Sequence, residues 1–237
     1  MNRKMFPFLL PFRCLTFILI FVIASAVTNK APDEISNIWS VVASAVNIIT
    51  IIILVLISRK NGGYANLINY GKGRTKPTQV VGMVFLILLI GMGGMYLAGF
   101  ICYGVIPYAA PMMIAPVPLW IAVVNLFVLP VSTAFAEDGL YLGCGVNQIE
   151  NKYASVLVPA FFFALQHSFI PTLFDVRYII YRFLSFLPLT VILCYHYRKH
   201  RNPLPIMVGH AIIDVATVVQ ILMTSAIPGF YDMMCGM

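Results

Sequence analysis

The sequence predicts an all-α membrane protein, a single polytopic bundle of about seven transmembrane helices, and three observations carry that prediction. First, 61% of the 237 residues are hydrophobic and only 10% are charged, whereas charged residues make up about a quarter of an ordinary soluble domain. The mean hydropathy is +0.93. Second, the apolar residues fall in long runs, several of which reach the ~20 residues that a helix needs to cross a bilayer. Third, the lysines and arginines behind the net charge of +7 sit in short clusters between those runs. They report topology and form no basic face for nucleic acid. No polar stretch reaches the ~50 residues of an independent soluble core, so residues 1–237 form one membrane domain.

Arg3 and Lys4 precede the first apolar run, Pro11 to Val27. Its end, Ala24-Ser25-Ala26, has the small-residue pattern of a signal-peptidase site, and cleavage there would leave six spans in the same orientation. Arg13 interrupts the apolar region, which favours a retained first helix. The loop Thr28 to Asn37 mixes Lys30 with Asp33 and Glu34, and a second span follows from Ile38 to Ile57. The loop Ser58 to Thr78 holds Arg59, Lys60, Lys72, Arg74 and Lys76. By the positive-inside rule it is cytoplasmic. A third span, Gln79 to Ile101, carries Gly91, Gly93, Gly94, Ala98 and Gly99, small residues that let neighbouring helices approach closely. No lysine follows them, so packing is a better reading than a phosphate loop. Cys102 to Pro118 contains four prolines and no charge, as suits an irregular, outward-facing connection.

The fourth span runs from about Val117 through Glu137 to Gly143, with Pro130 as a kink of the kind that neighbouring helices compensate. Lys152 marks the next cytoplasmic turn. The fifth span, Tyr153 to Ile170, has Pro159 near its start and His167 towards its end. The sixth, roughly Ile179 to Tyr197, is preceded by Asp175 and Arg177 and followed by Arg198, Lys199, His200 and Arg201. The seventh, Leu204 to Ile227, carries His210 and Asp214. With the amino terminus inside, only Lys30 and Arg177 of these basic residues face outward. The expected localisation is therefore a multi-pass protein of the plasma membrane with a cytoplasmic amino terminus. Cys14, Cys102, Cys144, Cys194 and Cys235 form no CxxC pair and read as packing residues.

Two adjacent carboxylates, Glu137 and Asp138, end the fourth apolar run, where an unpaired charge in hydrocarbon costs several kcal/mol. Solvation at the cytoplasmic interface is the plain alternative for both. His167 and His210 lie on later spans, and either one alone reads as a hydrogen-bonded packing residue. His210 and Asp214 are four apart and so share a helix face. Deep in an apolar span, Asp214 needs a partner, and His210 is the nearest candidate. At 1.5 Å per residue His210 lies on the order of 10 Å from the cytoplasmic surface, and Glu137 at about the same depth. His167 lies ~20 Å deep on an unbroken helix, or less if the fifth helix begins at Pro159. His196 and His200 flank the basic loop and read as interfacial.

Glu137-Asp138-x-x-x-Leu142-Gly143 resembles the EExxxRG motif of the CAAX-protease and bacteriocin-processing family of intramembrane endopeptidases. Phe163-Ala164-Leu165-Gln166-His167 resembles its FxxxH motif, and His210-Ala211-Ile212-Ile213-Asp214 its HxxxN or HxxxD motif. The three stand in the family's order, each on its own expected span, over roughly residues 118 to 226. The resemblance implies peptide-bond hydrolysis in the membrane, with Glu137 as the base that activates water and His167 helping to hold it. His210 and the residue at position 214 would stabilise the oxyanion. A partly desolvated carboxylate is the better base, and donors fixed in a dry cavity stabilise developing charge strongly. The implied partners are the lipid bilayer and a membrane-associated protein or peptide, such as a prenylated CAAX protein or a bacteriocin leader. No cofactor is required. A metalloprotease version gives the same imidazoles and carboxylate to a zinc ion.

Two positions depart from the family pattern. Leu142 replaces the motif arginine, so Asp138 lacks the cation that would sit one turn away, and another cation, of which Lys152 is an example, is a candidate substitute. Asp214 stands where asparagine is common, and an ionised Asp cannot donate to an oxyanion. A non-catalytic immunity or partner-binding protein on the same fold is therefore the alternative function. A proton-relay transporter is a weaker one, because the spans show no repeated halves.

Overall fold

The computed structural model describes residues 3–71, 73–106, 108 and 110–235, with the backbone alone at 3–5. Lys72, the side chains of Arg3 and Lys4, and positions 107 and 109 of the expected irregular connection thus lie outside the described residues. All regular structure among the described residues is helical. The seven long helices are α1 (Phe12–Thr28), α2 (Trp39–Ser58), α3 (Pro77–Tyr103), α4 (Leu119–Thr133), α5 (Ala154–His167), α6 (Val176–His200) and α7 (Leu204–Ala226). The connection after α3 is irregular, as expected, apart from a 3-10 turn at Pro111–Met113. Outward-facing side chains such as Ile52, Phe85 and Phe127 are exposed, an apolar coat suited to lipid.

Six helical stretches are long and apolar enough to cross a membrane: Phe6–Thr28, Pro32–Asn61, Pro77–Tyr103, Leu119–Val146, Val176–His200 and Leu204–Ala226. The seventh, α5, is shorter than its expected range of Tyr153 to Ile170. It stops at His167 after 14 residues, about 21 Å at 1.5 Å per residue. The cause is tertiary. Arg182 of α6 donates from Nε to the His167 carbonyl at 3.2 Å and from Nη2 to the Ile170 carbonyl at 3.4 Å. It thereby satisfies acceptors that a helix end leaves open, and Phe169 then bridges back to Thr172.

α4 does not end at Thr133 but runs on as a 13-residue π-helix, Ala134–Val146. Pro130 lies inside α4, where it can make no backbone donation. The change of register begins four residues later. Such wide turns are rare and often mark functional sites, and this one carries Glu137 and Asp138.

The loops tie the bundle at two ends. At one, Arg74 donates to the His200 carbonyl, and Asn69 donates to Asn147 and Tyr197. Residues 59–71, 73–76, 147–152 and 198–202, with most of the described cations, gather there. At the other, Trp39 Nε1 donates to the Met113 carbonyl and Val117 N to Ser225 Oγ, joining the start of α2, the 104–118 connection and the end of α7. The buried interior holds two large apolar clusters and a small third around Ile68, Ala134 and Met207. Of the two large ones, that near the basic end includes Leu10, Tyr141, Leu142 and Tyr197, and the other includes Phe17, Trp39, Leu129 and Tyr181. All five cysteines are free, and Cys14, Cys144 and Cys194 are buried, in keeping with packing roles.

Gly91 and Gly94 of α3 pack against α6 and α7. A Cβ on Gly94 would sit 2.5 Å from the Ser185 carbonyl oxygen, whereas one on Gly93 would meet nothing within 4 Å. Gly94→Ala is therefore expected to destabilise the detergent-purified protein by about 1–3 kcal/mol through overpacking. Gly93→Ala should leave the thermal midpoint unchanged or slightly higher.

Candidate active site

The site is built on Glu137. It is 3% exposed and Asp138 is 0% exposed, so neither is an interfacial group solvated at a helix end. Glu137 Oε1 accepts from Arg13 Nη2 at 3.0 Å. Its other oxygen, Oε2, has no hydrogen-bond partner among the described residues. It lies 3.8 Å from His167 Nε2 and 3.8 Å from His210 Nε2. One carboxylate oxygen is thus anchored, and the other lies near two imidazoles, at a separation that one water hydrogen-bonded to both sides can bridge.

Arg13 comes from α1 and is itself buried. Its Nε donates to Gln166 Oε1 at 2.8 Å, Nη1 to Thr50 Oγ1 at 3.0 Å, and Nη2 to Asn47 Oδ1 at 2.8 Å. Asn47 in turn donates to Ser132 and Thr133 of α4, and Tyr141 Oη donates to Gln166 Oε1 at 2.9 Å. This corrects the expectation that Lys152 substitutes for the missing motif arginine. Lys152 is exposed, with its ammonium over the Tyr153 ring. Leu142 is buried in the apolar cluster near the basic end. The cation instead arrives from the first helix and meets Glu137, not Asp138.

His167 ends α5. Its Nδ1 lies 2.8 Å from the Phe163 carbonyl oxygen, which can only accept, so Nδ1 holds the proton. In the neutral ring Nε2 then presents a lone pair towards Glu137. The ring stacks on Phe186, with centroids 3.7 Å apart and planes at 13°, which fixes its orientation. α5 begins at Ala154, not at Pro159, so His167 does lie ~20 Å along an unbroken helix.

His210 faces Asp138. Nδ1 is 3.3 Å from Asp138 Oδ1, and Nε2 is 4.0 Å from Asp214 Oδ2. The expected pairing of His210 with Asp214 therefore holds only as a loose approach. Residues four apart stand one above the other on a helix face, whereas the imidazole projects across to α4, where Asp138 meets it. A carboxylate on one ring nitrogen sets the tautomer and orientation of the other. Asp214 Oδ2 has no hydrogen-bond partner among the described residues.

All five residues singled out in the sequence, Glu137, Asp138, His167, His210 and Asp214, gather here. Four others that complete the site were not singled out: Arg13, Asn47, Thr50 and Gln166. Arg13 did carry a signal, as an intramembrane cation is a functional candidate by default, and Gln166 stands inside the Phe163 to His167 motif. Among the described residues no group of three or more His, Cys, Asp and Glu side chains is arranged to hold a metal ion.

Because Gln166 Oε1 serves both Arg13 and Tyr141, its removal should cost more than that of the Tyr141 hydroxyl alone. Gln166→Leu, which strips a buried charged donor of its partner, is expected to destabilise by about 2–3 kcal/mol, and Tyr141→Phe by about 1 kcal/mol. Thermal unfolding in detergent checks the order.

No curated protein and no solved structure matches the chain. Residues 118–216 match the family described as type II CAAX prenyl endopeptidase Rce1-like, a span that begins at α4 and closes two residues after Asp214. The family implies a protease, and the helices make it a multi-pass membrane protein. Residues 118–216, which hold all three motifs and the five residues they supply, are thus similar to the Rce1-like family of type II CAAX prenyl endopeptidases.

Proposed function

We propose that the chain hydrolyses a peptide bond of a membrane-associated protein or peptide at Glu137, without a resident metal ion. The observation that carries this reading is the free Oε2 of Glu137, held between the Nε2 atoms of His167 and His210 at 3.8 Å from each. A water molecule in that gap would give one hydrogen bond to Glu137 Oε2 and one to His167 Nε2, leaving a lone pair for attack. Glu137 takes the water's proton as the new C–O bond forms, and the carbonyl oxygen becomes an oxyanion. His210, as the imidazolium with Asp138 accepting from Nδ1, would donate from Nε2 to that oxyanion. When the C–N bond breaks, the proton on Glu137 passes to the leaving amine.

Arg13 supports the metal-free form of the reaction. A guanidinium already on Glu137 Oε1 repels a dication that would use the same carboxylate. Arg13 also weakens the case for a non-catalytic immunity protein on this fold, since the absence of the motif arginine at Leu142 is matched by a cation from α1. Cleavage after Ala26 would remove that cation, which supports a retained first helix. The positive-inside distribution supports a plasma-membrane protein with its amino terminus and basic end in the cytoplasm.

The reading predicts that Glu137→Gln lowers cleavage of a membrane-tethered peptide library by about 10²-fold to 10⁴-fold or more per folded molecule, and that a chelator leaves the wild-type rate as it was. Full activity in Glu137→Gln contradicts the assignment of the base, and loss of activity with chelator contradicts the metal-free reaction.

A further inference from the structure

The loops at the basic end enclose a cavity that the chemistry at Glu137 does not use. Its volume is about 380 Å³, against about 140 Å³ for the cavity at the candidate active site, and the two share no lining residue. No carboxylate lines the larger one, whereas Arg74 and Arg201 both do. Arg74 Nη2 donates to the His200 carbonyl at 3.0 Å, and Arg201 Nη1 donates to Asn147 Oδ1. Asn147 is itself fixed, since its Nδ2 donates to the Leu67 carbonyl at 2.8 Å and to Tyr197 Oη at 2.7 Å. A guanidinium carries five N–H donors, and among the described residues neither of these two forms an ion pair. Glu150, the one acidic residue of those loops, is exposed and does not line the cavity.

Two like charges brought to one cavity repel, and Arg201 adds a conformational cost. It caps α6 at φ 52°, a left-handed position usually held by glycine or asparagine. A solvated cleft has no need of arginine there. An anion that meets both guanidiniums removes the repulsion and gives the residue its use.

We propose that this cavity binds the phosphate ester of a small polyol, with Arg74 and Arg201 on the phosphate. Guanidinium matches phosphate oxygens with paired N–H donors. The remaining walls suit hydroxyl groups. Asn66 Nδ2 donates to the Asn61 carbonyl at 2.7 Å and Gln148 Nε2 to the Gly143 carbonyl at 3.4 Å, which leaves Asn66 Oδ1 and Gln148 Oε1 as acceptors. Phe6 and Leu67 supply apolar contact to the carbon skeleton. The same group occurs on an anionic lipid, phosphatidylglycerol, and on soluble glycerol phosphate. The cavity is lined from the connections after α2, after the π-helix and after α6, so occupancy clamps three connections together. None of this depends on the protease reading.

Thermal midpoints of the full-length protein test the proposal. One arm adds glycerol phosphate to the protein in detergent, with sodium chloride at matched ionic strength as control. The other compares phosphatidylcholine nanodiscs with and without phosphatidylglycerol. At saturation one probe raises the midpoint by roughly 5 °C or more. Arg74→Gln and Arg201→Gly each lose that shift, with apparent affinity weaker by about tenfold or more. Glycine suits a left-handed position, so Arg201→Gly keeps the midpoint of the unliganded protein close to that of the wild type. Should it fail to fold, Arg201→Asn carries the same expectation. A shift with glycerol phosphate identifies a soluble ester, and one with phosphatidylglycerol alone a lipid headgroup. No shift with either probe, a shift that sodium chloride matches, or one that survives both substitutions overturns the proposal.

Discussion

A guanidinium and a carboxylate 3.0 Å apart inside a membrane bundle set the terms for the rest of the molecule. Moving each ion out of water costs several kcal/mol, and the pair is tolerable only if its remaining donors and acceptors are met. Arg13 comes close to that condition, with Gln166 on Nε, Thr50 on Nη1, and Asn47 sharing Nη2 with Glu137. One side chain of α1 thereby fixes α2, the π-helical extension of α4, and α5. The arrangement leaves Glu137 Oε2 as an unpaired acceptor facing both imidazoles. An anchored carboxylate with one free oxygen is what a base for water requires, so the constraint that holds the helices also prepares the chemistry.

The same layer divides the interior. Apolar side chains pack against it towards the basic end, and on the opposite side the packing loosens into a cavity that Trp39 and Met113 also line. Arg182 extends the polar layer by ending α5 at His167, which places that imidazole on the cavity wall. Both buried arginines hold the frame of the groups proposed to be catalytic. One pairs with the carboxylate, and the other holds the helix terminus that carries the imidazole.

Much of this was legible in the sequence because hydrophobic run length reports bilayer crossing directly. The limits of the first, second and seventh helices fall within one residue of expectation. The end of α5 was not legible. The residues after His167 remain apolar, and what stops the helix is Arg182, a side chain from the next element. The π register of 134–146 was equally hidden, since apolar periodicity over so short a segment does not separate it from an α-helix. The motifs located all five acidic and imidazole residues, because the spacing of catalytic groups along a helix is local. Arg13 is the opposite case. Its charge in an apolar run announced a buried partner, but that partner lies 124 positions away, and nothing local distinguishes Glu137 from Asp138 as its address. Local spacing likewise paired His210 with Asp214, while the packing of α7 on α4 gave it Asp138.

The measurement that bears most directly on the Arg13–Glu137 pair is a double-mutant cycle on the unfolding free energy of the purified protein, with Arg13→Met, Glu137→Gln and their combination. Each single change leaves a buried charge unpaired and should cost about 3–5 kcal/mol, with the double variant costing clearly less than the sum. Additive costs would mean that the two groups do not interact. The site would then have to be held by something other than the first helix.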